Sequence, residues 1–549
     1  MALIIVSNAS ADSRPRGSDY HHPISSGLVR FDGRIIDSIE IENRQIFDTQ
    51  KEPYNNVVFR TANKLHIKTR KSVLARELLL DKGDRFSSEL AEEIARNLRN
   101  RYIVYDAWIE VDSLTANTVL MRIVTIDEWS FTGGFDITRE GNEYLYQLGF
   151  EEKNFLGFNQ LLSLDYYIQE KDANYFASSF RDYRLMGKPY RLSLDYSGNP
   201  KSKVEAVTFG HPFYSLAQKY SYSFQVAKGS SRHEIFNDSH LIGQSRTKSD
   251  LFGSALSRRF GQRFKNIVTG INYSYNFERT DDKKVLSYLG SDTVVAEASF
   301  PMDSLYHEVG LQLRGFLVNF TTFRKIDGFG YTEDFTLGHT AAVGYSRAFD
   351  SHFDVQVYDK VFFDYSFGYS FANELFYASY IRINKFRGVT DFEKITNWLF
   401  NYYHRGPEFL TVAFRAKYIR DWRYEGTEGL ILGGTSGLRG YRTEFRTGNR
   451  MAVATLEGRF HPEIRLLSTL LGFALFADAG RTYKQDEDFT LNGFYFSGGL
   501  GLRFALDRSS KSRFFRLDLA YSKENSWQIS LSTGQYFSYS EHRLFLTSR

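Results

Sequence analysis

Alternation of apolar and polar residues with a period of two runs through most of the chain, from residue 129 onward. In the segment 162–168, for example, Leu162 and Leu164 share one face and Ser163 lies on the other. Successive side chains of a strand point to opposite faces, so this pattern predicts strands with one apolar and one polar side. The pattern recurs at 190–196, 220–226, 267–277 and 515–521. The chain must therefore form a large sheet whose apolar face is shielded from water, either by lipid or by other parts of the protein.

The amino-acid composition favours long strands over helices as the elements of this chain. Aromatic residues make up 16% of the chain and only 9 of the 549 residues are proline, a balance that favours long strands. The apolar run 466–477 is shorter than the about twenty residues that a membrane-spanning helix needs. Alternating strands can cross a bilayer if their sheet closes on itself. We expect a mostly β chain, a transmembrane antiparallel β-barrel of about sixteen strands; periodicity alone leaves a soluble sandwich open.

The connections between these strands fall into two classes. Short segments at 154–159 and 212–215 are typical of tight turns at the periplasmic end of a barrel. Longer stretches that are rich in charged and aromatic residues are predicted to be external loops, and these are 227–250, 278–293, 384–408 and 421–450.

Charge and motif content exclude several classes of function. The formal net charge of +4 is too small to indicate nucleic acid as a partner. The absence of cysteine excludes disulfide scaffolds, thiolate metal sites and cysteine nucleophiles. The sequence shows no nucleophile elbow, phosphate-binding loop or zinc motif. We therefore expect no enzyme, no catalytic residue, no cofactor and no metal.

The N-terminal part precedes the alternating region. Residues 1–11 end in Ala9-Ser10-Ala11, which indicates the remnant of a signal peptide; an ordinary disordered terminus is the alternative. Residues 12–33 are predicted to form a flexible leader. Residues 34–128 then combine a strand near Ile35, two amphipathic helices and two closing strands, 104–111 and 119–124.

This β-α-α-β-β order, with the segment 79–86 between the helices, resembles a polypeptide-transport-associated (POTRA) domain. A small sheet covered by helices on one face leaves a strand edge to which an extended peptide can add through main-chain hydrogen bonds. A domain with a blunted edge that acts only as a spacer is the alternative. We expect this edge to contact a substrate or partner.

Three motifs in the C-terminal third stand together. A glycine-rich loop carries Arg439-Gly440-Tyr441, a strand carries Glu457-Gly458-Arg459-Phe460, and a second strand carries Phe476-Ala477-Asp478-Ala479-Gly480. The alternation places the carboxylates of Glu457 and Asp478 on the side away from lipid. An arginine folded in from the loop is their natural partner.

With the closing strand 527–537 and the segment 150–157, these motifs resemble the outer-membrane BamA/Sam superfamily of protein insertases and transporters. The resemblance covers residues 34–537, as a POTRA-like domain (34–128) and a barrel (129–537), followed by a tail (538–549). A single POTRA-like module and this tail depart from the family pattern. The resemblance implies that Arg439 pairs with Asp478 near Glu457 and fixes the loop inside the barrel; a surface arginine is the alternative. The lumen residues of this lock are Arg439, Gly440, Tyr441, Glu457, Asp478 and Gly480.

Closure of the barrel must join the first strand to the last, which we call the seam. Gly534 near the end of the last strand weakens its pairing, or simply bends the strand to fit the barrel. The predicted seam residues are Trp129, Phe131, Trp527, Ile529, Leu531, Gly534 and Phe537.

The resemblance implies a protein of the outer membrane of a Gram-negative bacterium, with the POTRA-like domain in the periplasm; an organelle outer membrane is the less favoured location. The predicted function is insertion and assembly of other outer-membrane β-barrel proteins through the seam. The alternatives are export of a dedicated secreted protein through the lumen, and a scaffold that has lost transport. The expected partners are the lipid bilayer, unfolded outer-membrane or secreted polypeptides, and accessory periplasmic proteins or lipoproteins.

Overall fold

The structure, a computed structural model, describes residues 27–539 apart from thirteen stretches: 101–102, 141–142, 170–172, 238–239, 286–302, 354, 389, 424–429, 435–436, 443–444, 467, 485–486 and 509–513. The predicted signal-peptide remnant 1–11, most of the leader 12–33 and most of the tail 538–549 lie outside the described residues.

The first unit is a small α/β domain. Its elements are β1 (Ile35–Arg44), α1 (Val57–Leu65), α2 (Lys71–Ala75), α3 (Ser88–Arg99), β2 (Val104–Ser113) and β3 (Thr118–Asp127). The strand order is β1-β3-β2, with β1 parallel and β2 antiparallel to the central β3. Helix α3 begins where Ser87 accepts a hydrogen bond from the Leu90 N–H, and it packs on the sheet through Ile94 and Leu98.

The domain has one helix more than the two that the apolar pattern predicted. Helix α1 lies between the predicted first strand and the first predicted helix, in a polar stretch of the sequence. It is started by Asn56, whose side chain accepts hydrogen bonds from the N–H groups of Val58 and Phe59. Only Phe59 of this helix is buried, so its sequence carries little of the apolar repeat by which helices are recognised.

The remaining strands form one large antiparallel sheet and a short two-stranded piece. The strands are β4 (Phe131–Glu140), β5 (Glu143–Glu152), β6 (Gln160–Gln169), β7 (Tyr175–Asp182), β8 (Arg191–Ser197), β9 (Ser202–His211), β10 (Tyr220–Asn237), β11 (His240–Gly261), β12 (Lys265–Val285), β13 (Ser304–Phe323), β14 (Glu333–Asp350), β15 (Gln356–Phe371), β16 (Glu374–Arg387), β17 (Thr390–Arg405), β18 (Leu410–Arg423), β19 (Leu430–Leu432), β20 (Arg446–Gly448), β21 (Arg450–Leu466), β22 (Thr469–Tyr483), β23 (Tyr495–Leu506), β24 (Phe514–Ser522) and β25 (Ser526–Thr533). Only β19 and β20 stand apart from the large sheet, as a pair.

The predicted fold class, a mostly β chain built on an antiparallel barrel sheet, is confirmed. Among the described residues twenty strands follow one another around the sheet in chain order, and β25 returns to lie next to β4. Nineteen neighbouring pairs among the described strands have a residue-by-residue register, and β4 and β25 are neighbours in the same ring.

The number of strands differs from the about sixteen expected from strands of ten residues. Two stretches predicted as external loops, 227–250 and 384–408, are instead strand hairpins, formed by β10 with β11 and by β16 with β17. Charged residues indicate contact with water but do not end a ladder of backbone hydrogen bonds, so strands continue beyond the apolar part of their sequence. The stretch 421–450 contains the short pair β19–β20.

The two faces of the sheet separate apolar from polar side chains. On β22, Leu475 is 57% exposed on the outside while Phe476 is 6% exposed on the inside. The outer surface carries further exposed apolar residues, among them Ile271, Leu311, Leu313, Val343 and Ile529. Among the described residues, no helix is both long and apolar enough to cross a bilayer.

The α/β domain is held against the turns at one end of the barrel. Arg99 of α3 donates from Nε and Nη2 to Asp334 of β14 at 2.9 and 2.6 Å. Arg184, in the turn between β7 and β8, donates to Glu77 at 2.8 and 2.7 Å. The Tyr54 hydroxyl donates to Asp507 Oδ2 at 2.6 Å, and burial together with that carboxylate raises the pKa of Tyr54. These contacts place the domain across the mouth of the barrel.

Replacing Arg99 by alanine should lower the free energy of unfolding by roughly 3–5 kcal/mol, because it leaves the buried Asp334 carboxylate without its cation. The control is Arg122→Ala, which removes exposed ion pairs on β3 and should cost about 1 kcal/mol or less. Denaturant unfolding of the purified protein, followed by tryptophan fluorescence, measures both. Equal effects of the two substitutions would contradict the buried docking contact.

Candidate functional site

A loop between β18 and β21 folds into the interior of the barrel. Gly440 in this loop has φ +80°, a conformation that residues with a side chain rarely adopt. A Cβ at Gly440 would lie 3.2 Å from Ala520 Cβ and 3.3 Å from Ser497 Cβ, on the inner faces of β24 and β23. The loop therefore reaches the wall only because this position is glycine.

Arg439 makes the central contact of the site. Its Nε and Nη2 atoms each donate to Asp478 at 2.8 Å, and its Nη1 donates to Glu457 Oε1 at 2.6 Å. A third carboxylate, that of Asp518, lies 3.7 Å from Nη1. Only 3% of Arg439 is exposed, so all these charges are shielded from bulk water. The expected contact between Arg439 and Asp478 is present, and the surface-arginine alternative is wrong.

Two aromatic rings enclose the guanidinium. Arg439 Cζ lies 3.6 Å from the ring centroid of Phe476 and 4.0 Å from that of Tyr536. Phe476 belongs to the wall, whereas Tyr536 belongs to the segment that follows the last strand. The arginine thus holds together a loop, the wall and the C-terminal segment by ion pairs and cation–π contacts.

The neighbouring loop residues extend the attachment. The Tyr441 hydroxyl donates to Glu524 Oε2 at 2.5 Å and lies 3.1 Å from the Phe496 carbonyl oxygen. Ser522 Oγ donates to the Gly440 carbonyl at 2.7 Å. Gly480, on the inner face of β22, leaves room for Leu432, since a Cβ there would lie 3.0 Å from Leu432 Cδ1. All six residues predicted for the lumen lock lie in one region.

The sequence analysis missed Arg459 as a member of the site. Its Nε donates to Glu457 at 3.0 Å, its Nη1 to the Ile326 carbonyl at 2.8 Å and its Nη2 to the Phe537 carbonyl at 2.7 Å. Arg459 therefore joins the wall, the turn between β13 and β14, and the C-terminal segment. Its position two residues after Glu457, on the same strand face, was the available signal.

Further charges of the lumen wall were also missed. Asp518 of β24 accepts a hydrogen bond from Arg503 at 2.6 Å and lies 3.0 Å from Arg516. The cluster so formed, called here the lumen cluster, balances four cations against four carboxylates: Arg439, Arg459, Arg503 and Arg516 with Asp327, Glu457, Asp478 and Asp518. Among the described residues no group of three or more His, Asp or Glu is placed to hold a metal ion. The arrangement suits fixation of segments within the lumen.

Most predicted seam residues lie where the two terminal strands meet. Trp527, Ile529 and Leu531 of β25 are 59%, 72% and 72% exposed on the outer surface, and Phe131 of β4 is 48% exposed. Trp129 precedes β4; its N–H donates to the Arg508 carbonyl at 2.7 Å, and its side chain packs against the α/β domain.

Two seam predictions are wrong. The last strand ends at Thr533, not at Phe537. Gly534 lies beyond the strand with φ +75° and turns the chain inward. Phe537 is fully buried in the lumen instead of facing lipid, because the Arg459 guanidinium and the apolar inner wall hold it there.

No protein-family model matches this chain, and no curated protein matches it in sequence. Its fold is similar to that of several solved structures. CdiB from Acinetobacter baumannii has 11% identity and a TM-score of 0.43, over 92% of this chain and 74% of that one. CdiB from Escherichia coli has 11% identity and a TM-score of 0.44, over 92% and 76%. BamA from Haemophilus ducreyi lacking POTRA domains 1–3 has 12% identity and a TM-score of 0.36, over 91% and 84%. At these identities the likeness concerns the fold alone.

Arg439→Ala should destabilise the protein by roughly 3–5 kcal/mol, since it leaves Asp478 and Glu457 buried without their shared cation. Arg439→Lys should recover only part of this loss, because a lysine cannot bind a carboxylate in bidentate fashion. Arg442→Ala, an exposed arginine three residues away, is the matched control and should change stability by about 0.5 kcal/mol or less. Denaturant unfolding measures all three, and a mild Arg439→Ala effect would contradict the assigned lock.

Proposed function

We propose that this chain is an outer-membrane β-barrel protein that inserts or assembles other β-barrel proteins through the seam between β4 and β25, with its α/β domain in the periplasm. The apolar outer surface of the sheet supports the placement in lipid. The resemblance of its lumen motifs and its α/β domain to the BamA/Sam superfamily supports the class of substrate. Insertion of a barrel protein makes and breaks no covalent bond, so the proposal assigns no enzyme activity to this chain.

The observation that carries the proposal is the small number of backbone pairs that the seam can hold. Strand β4 (Phe131–Glu140) has ten residues and β25 (Ser526–Thr533) has eight, so at most eight residue pairs can join them. Strands β11 and β12 are paired at eighteen positions. Backbone groups without partners are costly in lipid, so a strand from a substrate gains hydrogen bonds by adding at this edge.

The interior of the barrel is a poor path for a polypeptide in this structure. The loop with Arg439, the turn between β13 and β14, and the C-terminal segment meet at the lumen cluster. The α/β domain in turn lies across one mouth. Export through the lumen would require both the loop with Arg439 and the α/β domain to be displaced, whereas passage through the seam requires β4 and β25 to separate.

A disulfide across the seam tests the proposal. Since the chain has no cysteine, Thr132→Cys combined with Ser530→Cys or with Ser532→Cys introduces one pair of thiols at inward-facing positions of β4 and β25, and the combination that oxidises to a disulfide is used. The control is Ser163→Cys with Ser179→Cys, directly opposite each other on β6 and β7. Each variant is expressed in place of the wild-type protein in a separate strain of the native host. The folded barrel proteins of the outer membrane are then quantified with and without reductant.

The proposal expects the oxidised seam cross-link to deplete many barrel proteins, reductant to restore them, and the control cross-link to have no effect. Normal barrel-protein levels in cells with a fully cross-linked seam would contradict the proposal. Loss of one secreted protein alone would contradict it as well and would indicate export.

A further inference from the structure

The segment that follows the last strand runs inside the barrel. Beyond Thr533 the chain turns at Gly534, whose N–H donates to the Phe514 carbonyl at 2.8 Å. Phe537 is then fully buried and Tyr539 is 3% exposed. We call residues 534–539 the inner segment.

The first part of the inner segment contacts the lumen cluster. The ring centroid of Tyr536 lies 4.0 Å from Arg439 Cζ and 5.1 Å from Arg516 Cζ. The Phe537 carbonyl accepts a hydrogen bond from Arg459 at 2.7 Å, and the Phe537 ring lies 4.8 Å from Arg459 Cζ. The loop lock and the inner segment therefore share the same arginines.

The second part of the inner segment reaches the far side of the barrel. The Tyr539 N–H donates to Asp327 Oδ2 at 2.8 Å, and its ring centroid lies 4.7 Å from that of Phe335 on β14 and 5.2 Å from that of Tyr377 on β16. In the strand order of the ring of twenty, β14 is nine positions from β25. The segment thus runs inside the barrel from β25 to the inner face of β14 and β16.

Arg415 of β18 fixes the middle of the inner segment. Its Nη2 donates to the Ser538 carbonyl at 3.3 Å, and its Cζ lies 4.7 Å from the ring centroid of Phe537. Arginine side chains thus hold the inner segment by hydrogen bonds to its backbone carbonyls and by cation–π contacts with its aromatic rings. These contacts are non-covalent, so they can break and form again.

We propose that the inner segment is an internal tether that holds the end of β25 to the lumen cluster and to the opposite wall, and thereby keeps the seam shut. Outward movement of β25 pulls on Gly534 and removes Tyr536 from Arg439, so opening of the seam and release of the tether are one event. A polypeptide strand that captures β25 must compete with these contacts. The proposal rests on the seam assigned above but on no particular substrate.

Amide hydrogen exchange of the purified full-length protein in lipid nanodiscs tests the tether. The variant Phe537→Ala/Tyr539→Ala removes its two buried anchors. Arg415→Gln is the milder second variant, which removes one hydrogen bond and one cation–π contact to the inner segment. The control is Phe473→Ala, which removes an aromatic ring from the outer surface of β22. Exchange is compared between peptides from 526–533, in β25, and peptides from 160–182, in β6 and β7.

The tether predicts that exchange in 526–533 rises by about tenfold in the double variant, and by less in Arg415→Gln, while 160–182 stays unchanged. The control should change neither region. Unchanged exchange in 526–533 would overturn the proposal, and so would an equal rise in both regions, because that would indicate a general loss of stability. Since the readout needs no substrate, its result stands apart from the outcome of the seam cross-link.

Discussion

A buried arginine that is shielded from bulk solvent imposes the strongest constraint on this barrel. Arg439 is shielded from solvent and its charge is met by Asp478 and Glu457. A cation at this depth cannot be moved alone, because Arg439 would lose its carboxylates and Asp478 would lose its cation. The loop that carries Arg439 is therefore fixed inside the barrel, and the segments that contact it take their positions from that fixed point.

The arrangement of the remaining parts follows from this fixed loop. Tyr536 covers the open face of the guanidinium, and Arg459 joins the same cluster to the turn between β13 and β14. The α/β domain, held by Arg99 and Arg184, closes one mouth. Since the interior is occupied, the proposed function uses the seam between β4 and β25.

Much of this architecture was predictable from local sequence patterns. Period-two alternation identified the strands and their inner faces, including the shared face of Phe476 and Asp478, because the side-chain direction of a strand depends only on residue parity. The lock between Arg439 and Asp478 followed from a resemblance and from the need to pair charges in the lumen. Helix α1 was missed because a short helix with one buried residue, Phe59, has no readable repeat.

Other features depend on contacts between distant parts of the chain. The end of β25 was predicted four residues too late, since the aromatic pattern continues through Phe537 while the backbone turns at Gly534. The ion pair of Glu77 with Arg184 joins residues 107 positions apart, and no local pattern indicates it. The extra strands were missed because charged residues were interpreted as loops.

A double-mutant cycle between Arg439 and Asp478 tests the central claim most directly. The free energy of unfolding is measured for the wild type, Arg439→Ala, Asp478→Ala and the combination. The buried pair predicts a coupling energy of about 2 kcal/mol or more, with the double variant less damaged than the sum of the single ones. Effects that add to within about 0.5 kcal/mol would contradict a loop that is fixed in the lumen by this contact.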